Sequence, residues 1–146
     1  MLKALLIAVA LLSASPAFAQ TAADTDKAID AVLGGPHEVY ATAIADIQKA
    51  LTDHSIEGIA GYISFGEPLK VNGEDVIITD LDDLKAKFDT LFNAKVVSAV
   101  TGQTYETMLV KDEGIMFGDG ELWISGVCDE DPCQLPFINI TAVNNN

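Results

Sequence analysis

Arginine is absent from this chain. Its eight basic residues are all lysines, set against 22 Asp and Glu, for a formal net charge of −14. Without a guanidinium, the chain lacks the planar fork that grips phosphate and carboxylate in a bidentate way. The charge balance also repels nucleic acid and disfavours docking on an anionic membrane surface. A basic protein partner stays compatible with it, and solubility is its plainest consequence. Tryptophan occurs once, at Trp123, histidine only at His37 and His54, and cysteine only at Cys128 and Cys133. Two isolated histidines and one cysteine pair do not make a zinc site, and no complete calcium-loop motif is present. No cofactor or metal is expected.

Long apolar runs are also missing, apart from one at the start. Lys3 precedes the apolar stretch Ala4 to Leu12; Ser13 to Pro16 break it, and Ala17-Phe18-Ala19 gives a small-x-small site before Gln20. That is the pattern of a secretory signal, and it is shorter than the roughly 20 residues that a membrane span needs. The expectation is cleavage between Ala19 and Gln20 and a periplasmic or secreted bacterial product. The remaining 127 residues would form one domain, at a net charge of −15 once Lys3 is lost. No repeat or linker divides them. In an oxidising compartment Cys128 and Cys133, with four residues between them, are expected to form a local disulfide that pinches a turn.

Periodicity then gives the elements. Thr21 to Leu33 reads as a weak helix, ended by Gly34-Gly35-Pro36. Val39, Ala43, Ile44, Ile47 and Leu51 recur at helical spacing, and a second helix from a Ser55 cap carries Ile56, Ile59, Ala60 and Ile63. Gly58 and Gly61 weaken that helix in isolation, so it leans on tertiary packing or lets another backbone approach closely. Asn72-Gly73 between two short apolar runs is a hairpin turn. Thr79 or Asp80 caps a helix with the stripe Leu81, Leu84, Phe88, Leu91 and Phe92, and Ala94 to Val100, whose valines also suit a strand, reads as a short helix. Sheet signals follow at Tyr105–Val110, Ile115–Phe117, Glu121–Val127 and Phe137–Val143, the last with Ile138, Ile140 and Ala142 on one face. Helices first and antiparallel strands last define an α+β domain, with helices packed on one curved sheet.

Some phrases within this order resemble known proteins. Pro68-Leu69-Lys70-Val71-Asn72-Gly73, Leu84 to Phe92 and Gly114-Ile115-Met116-Phe117-Gly118-Asp119-Gly120-Glu121-Leu122-Trp123-Ile124 resemble a set of small exported bacterial proteins that share a G-I-M-x-G-x-G-E-x-W signature. The element order resembles the cone-shaped nuclear transport factor 2-like fold, which ketosteroid isomerases and polyketide cyclases share. The resemblance implies a cone of helices and sheet and carries no catalytic residue onto this chain.

Carboxylates are abundant, but most stand at helix starts and turns. Glu121 and Asp119 are the candidate acid–base residues, because they flank a bend beside Trp123. If Glu121 faced an apolar interior, burial would raise its pKa. Strand alternation puts Glu121, Trp123, Ser125 and Val127 on one face and Leu122, Ile124 and Gly126 on the other, and leaves open which is inside. Trp123, Tyr62 and Tyr40 are the candidate ligand-binding residues, aromatic with a polar tip. His54, beside Asp53 and Ser55, reads as a helix-boundary residue and not as part of a triad. The Asp129-Glu130-Asp131 tip reads as a solvated turn. The function these features favour is non-enzymatic binding of a small apolar ligand or an envelope protein. The alternatives are a small isomerase, lyase or hydrolase using a carboxylate in the cone, and an acidic inhibitor of a basic enzyme.

Overall fold

A computed structural model describes residues 19–128 and 135–146. The expected signal segment, Cys133 and the Asp129-Glu130-Asp131 tip therefore lie outside the described residues, and with Cys133 the expected disulfide.

Thr21 starts the first helix through a reciprocal capping box: its hydroxyl accepts from the Asp24 N–H, while the Asp24 carboxylate accepts from the Thr21 N–H at 2.9 Å. Helix α1 (Ala22–Val32) buries Ile29 and Thr25. The chain turns at Gly34, and Pro36, whose fixed φ suits a helix entry, is the cap of α2 (His37–Thr52). Helix α2 turns Tyr40, Ala43, Ile44, Ile47, Ala50 and Leu51 into the core. Ser55 then caps α3 (Ile56–Ala60) by accepting from the Gly58 N–H at 3.1 Å. This helix is shorter than its apolar pattern predicts, and Ile63 is buried from a turn instead. A Cβ on Gly58 would stand 2.8 Å from the Ala50 Cβ, so the glycine permits the close packing of α3 on α2.

The Asn72-Gly73 turn, both residues at positive φ, joins β1 (Pro68–Val71) to β2 (Glu74–Ile77). Asp80 caps α4 (Leu81–Leu91) and Asn93 caps α5 (Ala94–Gly102). The expected strand at Tyr105–Val110 needs correction: Tyr105–Thr107 form a 3-10 turn, and β3 is only Leu109–Lys111. The Thr25 hydroxyl donates to the Tyr105 carbonyl at 3.0 Å, and the Tyr105 hydroxyl donates to Asp26. The segment is thus spent on holding α1 and not on pairing with the sheet.

Strands β4 (Gly114–Phe117), β5 (Leu122–Val127) and β6 (Phe137–Val143) complete one six-stranded sheet in the order β2-β1-β6-β5-β4-β3. The sheet is mixed and open, not antiparallel throughout, because β1 runs parallel to β6 at Lys70↔Ala142 and Val71↔Val143. A register shift beside Trp123 and Ile124 corrects one face: Val143, not Ala142, joins Ile138 and Ile140 in the core. The inner face buries Leu69, Ile115, Phe117, Leu122 and Ile124 against the helices. No helix among the described residues is long and apolar enough to cross a membrane.

Candidate functional site

Strand alternation left two choices for β5, and burial decides between them. Leu122 and Ile124 are fully buried, whereas Trp123 and Ser125 are half-buried and Val127 exposed. Trp123 therefore stands on the outer face of the sheet, between Met116 and Ala142 on the neighbouring strands. The Lys111 ammonium lies 5.9 Å from the ring centroid, within cation–π range. Lys70, Glu113 and Thr141 complete a shallow depression of about 420 Å³ around it.

Glu121 does not face a cavity. Its Oε2 accepts from the Asp119 N–H at 2.7 Å, and its Oε1 is 3.7 Å from the Lys95 ammonium. Gln103 Oε1 accepts from the Gly118 N–H at 3.0 Å, and Asn144 Nδ2 donates to the Gly120 carbonyl at 2.7 Å. These side-chain and backbone groups together lock the Gly118–Glu121 bend. Gly118 and Gly120 have positive φ there, and a Cβ on Gly118 would collide with the Glu121 carboxylate. Asp119 is exposed. The bend that links the two candidate acid–base residues is built as a turn.

Tyr40 corrects the expectation of a cavity-lining aromatic: it is 1 % exposed, in the core. Its hydroxyl meets the Gly126 backbone, which hydrogen-bonds to it, and burial holds its pKa above the usual tyrosine value. Strand β5 outruns β4 at Gly126, so the hydroxyl seals a stretch of sheet edge that β4 leaves uncovered.

Of the three aromatic candidates, Tyr62 is the one that borders two open grooves. Its hydroxyl donates to Asp46 Oδ2 at 3.0 Å, and burial with the Asp46 carboxylate pushes its pKa up to about 12. On one side lies a groove of about 460 Å³ lined by Glu38, Val39, Thr42 and Ala43 of α2 and by Phe137, Ile138 and Asn139 of β6. On the other lies one of about 430 Å³, between Asp46, Lys49, Ala50 and Asp53 of α2 and Ser55 and Gly58. Gly61 and Tyr62 line both, so the two grooves adjoin at Tyr62 and form a divided trough beside α2, whose 16 residues span about 24 Å at 1.5 Å each. The floor is apolar and the rim acidic. Lys49, the one lysine that lines it, is ion-paired with Asp53.

The remaining candidates are spent locally. His37 Nδ1 lies 2.9 Å from Asp30 Oδ2, and this bond, more than any other influence, raises the His37 pKa. His54 packs edge-on against Phe88 at 5.0 Å between centroids. No group of three His, Cys, Asp or Glu that could hold a metal occurs among the described residues. Thr25 is their one fully buried polar side chain. No protein-family model matches the chain, and neither a curated protein nor a solved structure matches it.

Proposed function

We propose that this chain works by binding rather than turnover, as an exported bacterial protein whose site is the trough beside Tyr62. The observation that carries this reading is that two grooves sharing Gly61 and Tyr62 adjoin beside α2, one at its first half and one at its second. A catalytic site of acid–base type needs a group held in a desolvated position with a perturbed pKa. In the trough the group so perturbed is the Tyr62 hydroxyl, its pKa raised to about 12 and already donating to Asp46; apolar floor and a rim of carboxylates make up the rest and suit recognition of a partner protein. The nuclear transport factor 2-like reading of the fold, and the likeness to small exported bacterial proteins, belong to the same proposal. Helices that lead the chain and pack on one face of a sheet support the first, and the Gly114–Ile124 signature supports the second.

Thr42 is exposed on the α2 wall of the trough, so Thr42→Trp fills the groove without touching the core. The test is co-purification from a bacterial envelope extract with the two proteins immobilised side by side. A partner held by the unaltered protein and released by T42W is the expected result. Equal retention by both, or none by either, overturns the assignment of the trough.

A further inference from the structure

Taking the trough as the binding site, we propose that its occupant is an extended, basic segment of a partner protein that pairs its backbone with β6 at Ile138. Strand β6 is seven residues long, yet β1 covers only Ala142 and Val143 on the side away from β5. The Ile140 N–H on that side donates to the Tyr62 carbonyl at 2.8 Å. Backbone groups of an antiparallel strand point the same way at every second residue, so the N–H and C=O of Ile138 also face away from β5. No backbone group of the described residues meets them there. Ile138, 7 % exposed overall, is one of the residues that line the groove.

The contrast with β5 gives this opening its weight. Where β5 overhangs β4, the Tyr40 hydroxyl closes the edge at Gly126. Where β6 overhangs β1, no described backbone group closes it at Ile138, although unprotected edges invite pairing with another chain. The surroundings suit a strand. Val39 and Ala43 form an apolar floor, and Phe137, 70 % exposed, stands at the mouth. Glu38 and Asp46 supply negative charge, and Lys49 is neutralised by Asp53. Alternating apolar and basic side chains meet the floor and the rim together. Pro136 has no N–H, so the ladder is limited to the two groups of Ile138 and the Pro136 carbonyl, which set the register while side chains supply the affinity. A second copy of the chain is a poor occupant, because it brings the same net charge of −14 or, without the leader, −15.

The probe is a fluorescein-labelled alternating Lys-Val octapeptide, followed by anisotropy. Two isomers accompany it, one N-methylated at the lysines and one at the valines. Pairing uses the N–H groups of one parity only, so one isomer should bind about tenfold more weakly while the other matches the parent. Binding should fall as NaCl rises from about 20 to about 200 mM, because exposed charges are then screened. The Ile138 amide should exchange more slowly with deuterium in the complex, and a Glu-Val octapeptide should not bind. Equal binding of the two isomers, or no binding of the parent, overturns strand pairing. If T42W still abolishes binding when the isomers are equal, the trough stands and only the pairing falls. If T42W binds the parent peptide as well as the unaltered protein does, the trough itself falls. A dimer by sedimentation that T42W dissociates overturns the basic segment in favour of a second copy.

Discussion

Gly126 and Tyr40 show how a single residue serves both the core and the sheet. Gly126 has an ordinary φ, so its lack of a side chain is a matter of space: a Cβ would collide with the Tyr40 hydroxyl and stand 2.8 Å from the Pro136 Cβ. Gly126→Ala should destabilise by about 1–3 kcal/mol through overpacking. Tyr40→Phe should cost about 1 kcal/mol, because the Gly126 hydrogen bond is lost. The two costs should not add, since removing the hydroxyl frees part of the space that the new methyl needs. Urea unfolding of the two single variants and the double one measures this, and strict additivity would refute the packing account. Neither partner was legible beforehand. The period of α2 places Tyr40 among apolar positions, but nothing local says that its hydroxyl ends a ladder 86 residues away in sequence. Glu121 was legible as special and not as to why. The pattern around it singles out the bend, and only the bonds to Asp119 and Lys95 show how Glu121 locks it.

Helices α1 and α2 are fastened by an ionic joint at their junction. Asp30 engages His37 twice: Oδ1 accepts from the His37 backbone N–H at 2.9 Å, and Oδ2 lies 2.9 Å from the ring Nδ1. Asp26 and Glu38 stand at 3.8 and 3.5 Å from the other ring nitrogen. The folded-state pKa of His37 is raised, so its protonated form is favoured by folding. Its contribution is fully present below the unfolded value of about 6.5 and is lost as pH rises through the folded one. The melting temperatures of the unaltered protein and His37→Gln should therefore differ more at about pH 6 than at about pH 8.5. A gap that is the same at both pH values would remove the joint. Asp24 and Asp83 titrate in the opposite sense: their hydrogen bonds lower their pKa values, so their contributions fade only in acid. At this scale the sequence was most readable, since caps, the Asn-Gly turn and the apolar stripes are local signals. It was least readable for Asn144–Asn146, which look like a featureless tail. Asn145 Nδ2 donates to the Thr90 carbonyl, its N–H to Asn72 Oδ1, and Asn93 Nδ2 to its carbonyl. These residues clamp the hairpin to the junction of α4 and α5, a role that no composition reveals.

Across the whole molecule, charge and topology dominate. A chain carrying 22 carboxylates against eight lysines repels itself, and salt should relieve that. The melting temperature should rise as NaCl increases from about 10 to about 200 mM, as the Debye length shrinks to under about 10 Å. A melting temperature that falls would mean that the few lysine pairs, such as Lys87–Asp83 and Lys70–Asp75, outweigh the repulsion. The α+β class followed from element order, while the mixed sheet did not. Parallel pairing of β1 with β6 joins segments some 70 residues apart, and alternation within a strand carries no record of its neighbour's direction. The trough escaped for the same reason, because α2, Tyr62 and β6 meet only in the fold.

The placing of β6 bears on when the fold can exist at all. It lies between β1 and β5 in the sheet order, and no other strand joins the β2-β1 pair to the β5-β4-β3 set. Until residues 137–143 have left the ribosome, the sheet is two unconnected fragments, and the contacts that unite them are distant in sequence and slow to form. A growing chain of this kind cannot unite its sheet before β6 is available. On the export proposed above, that delay would keep the polypeptide threadable through a secretion channel.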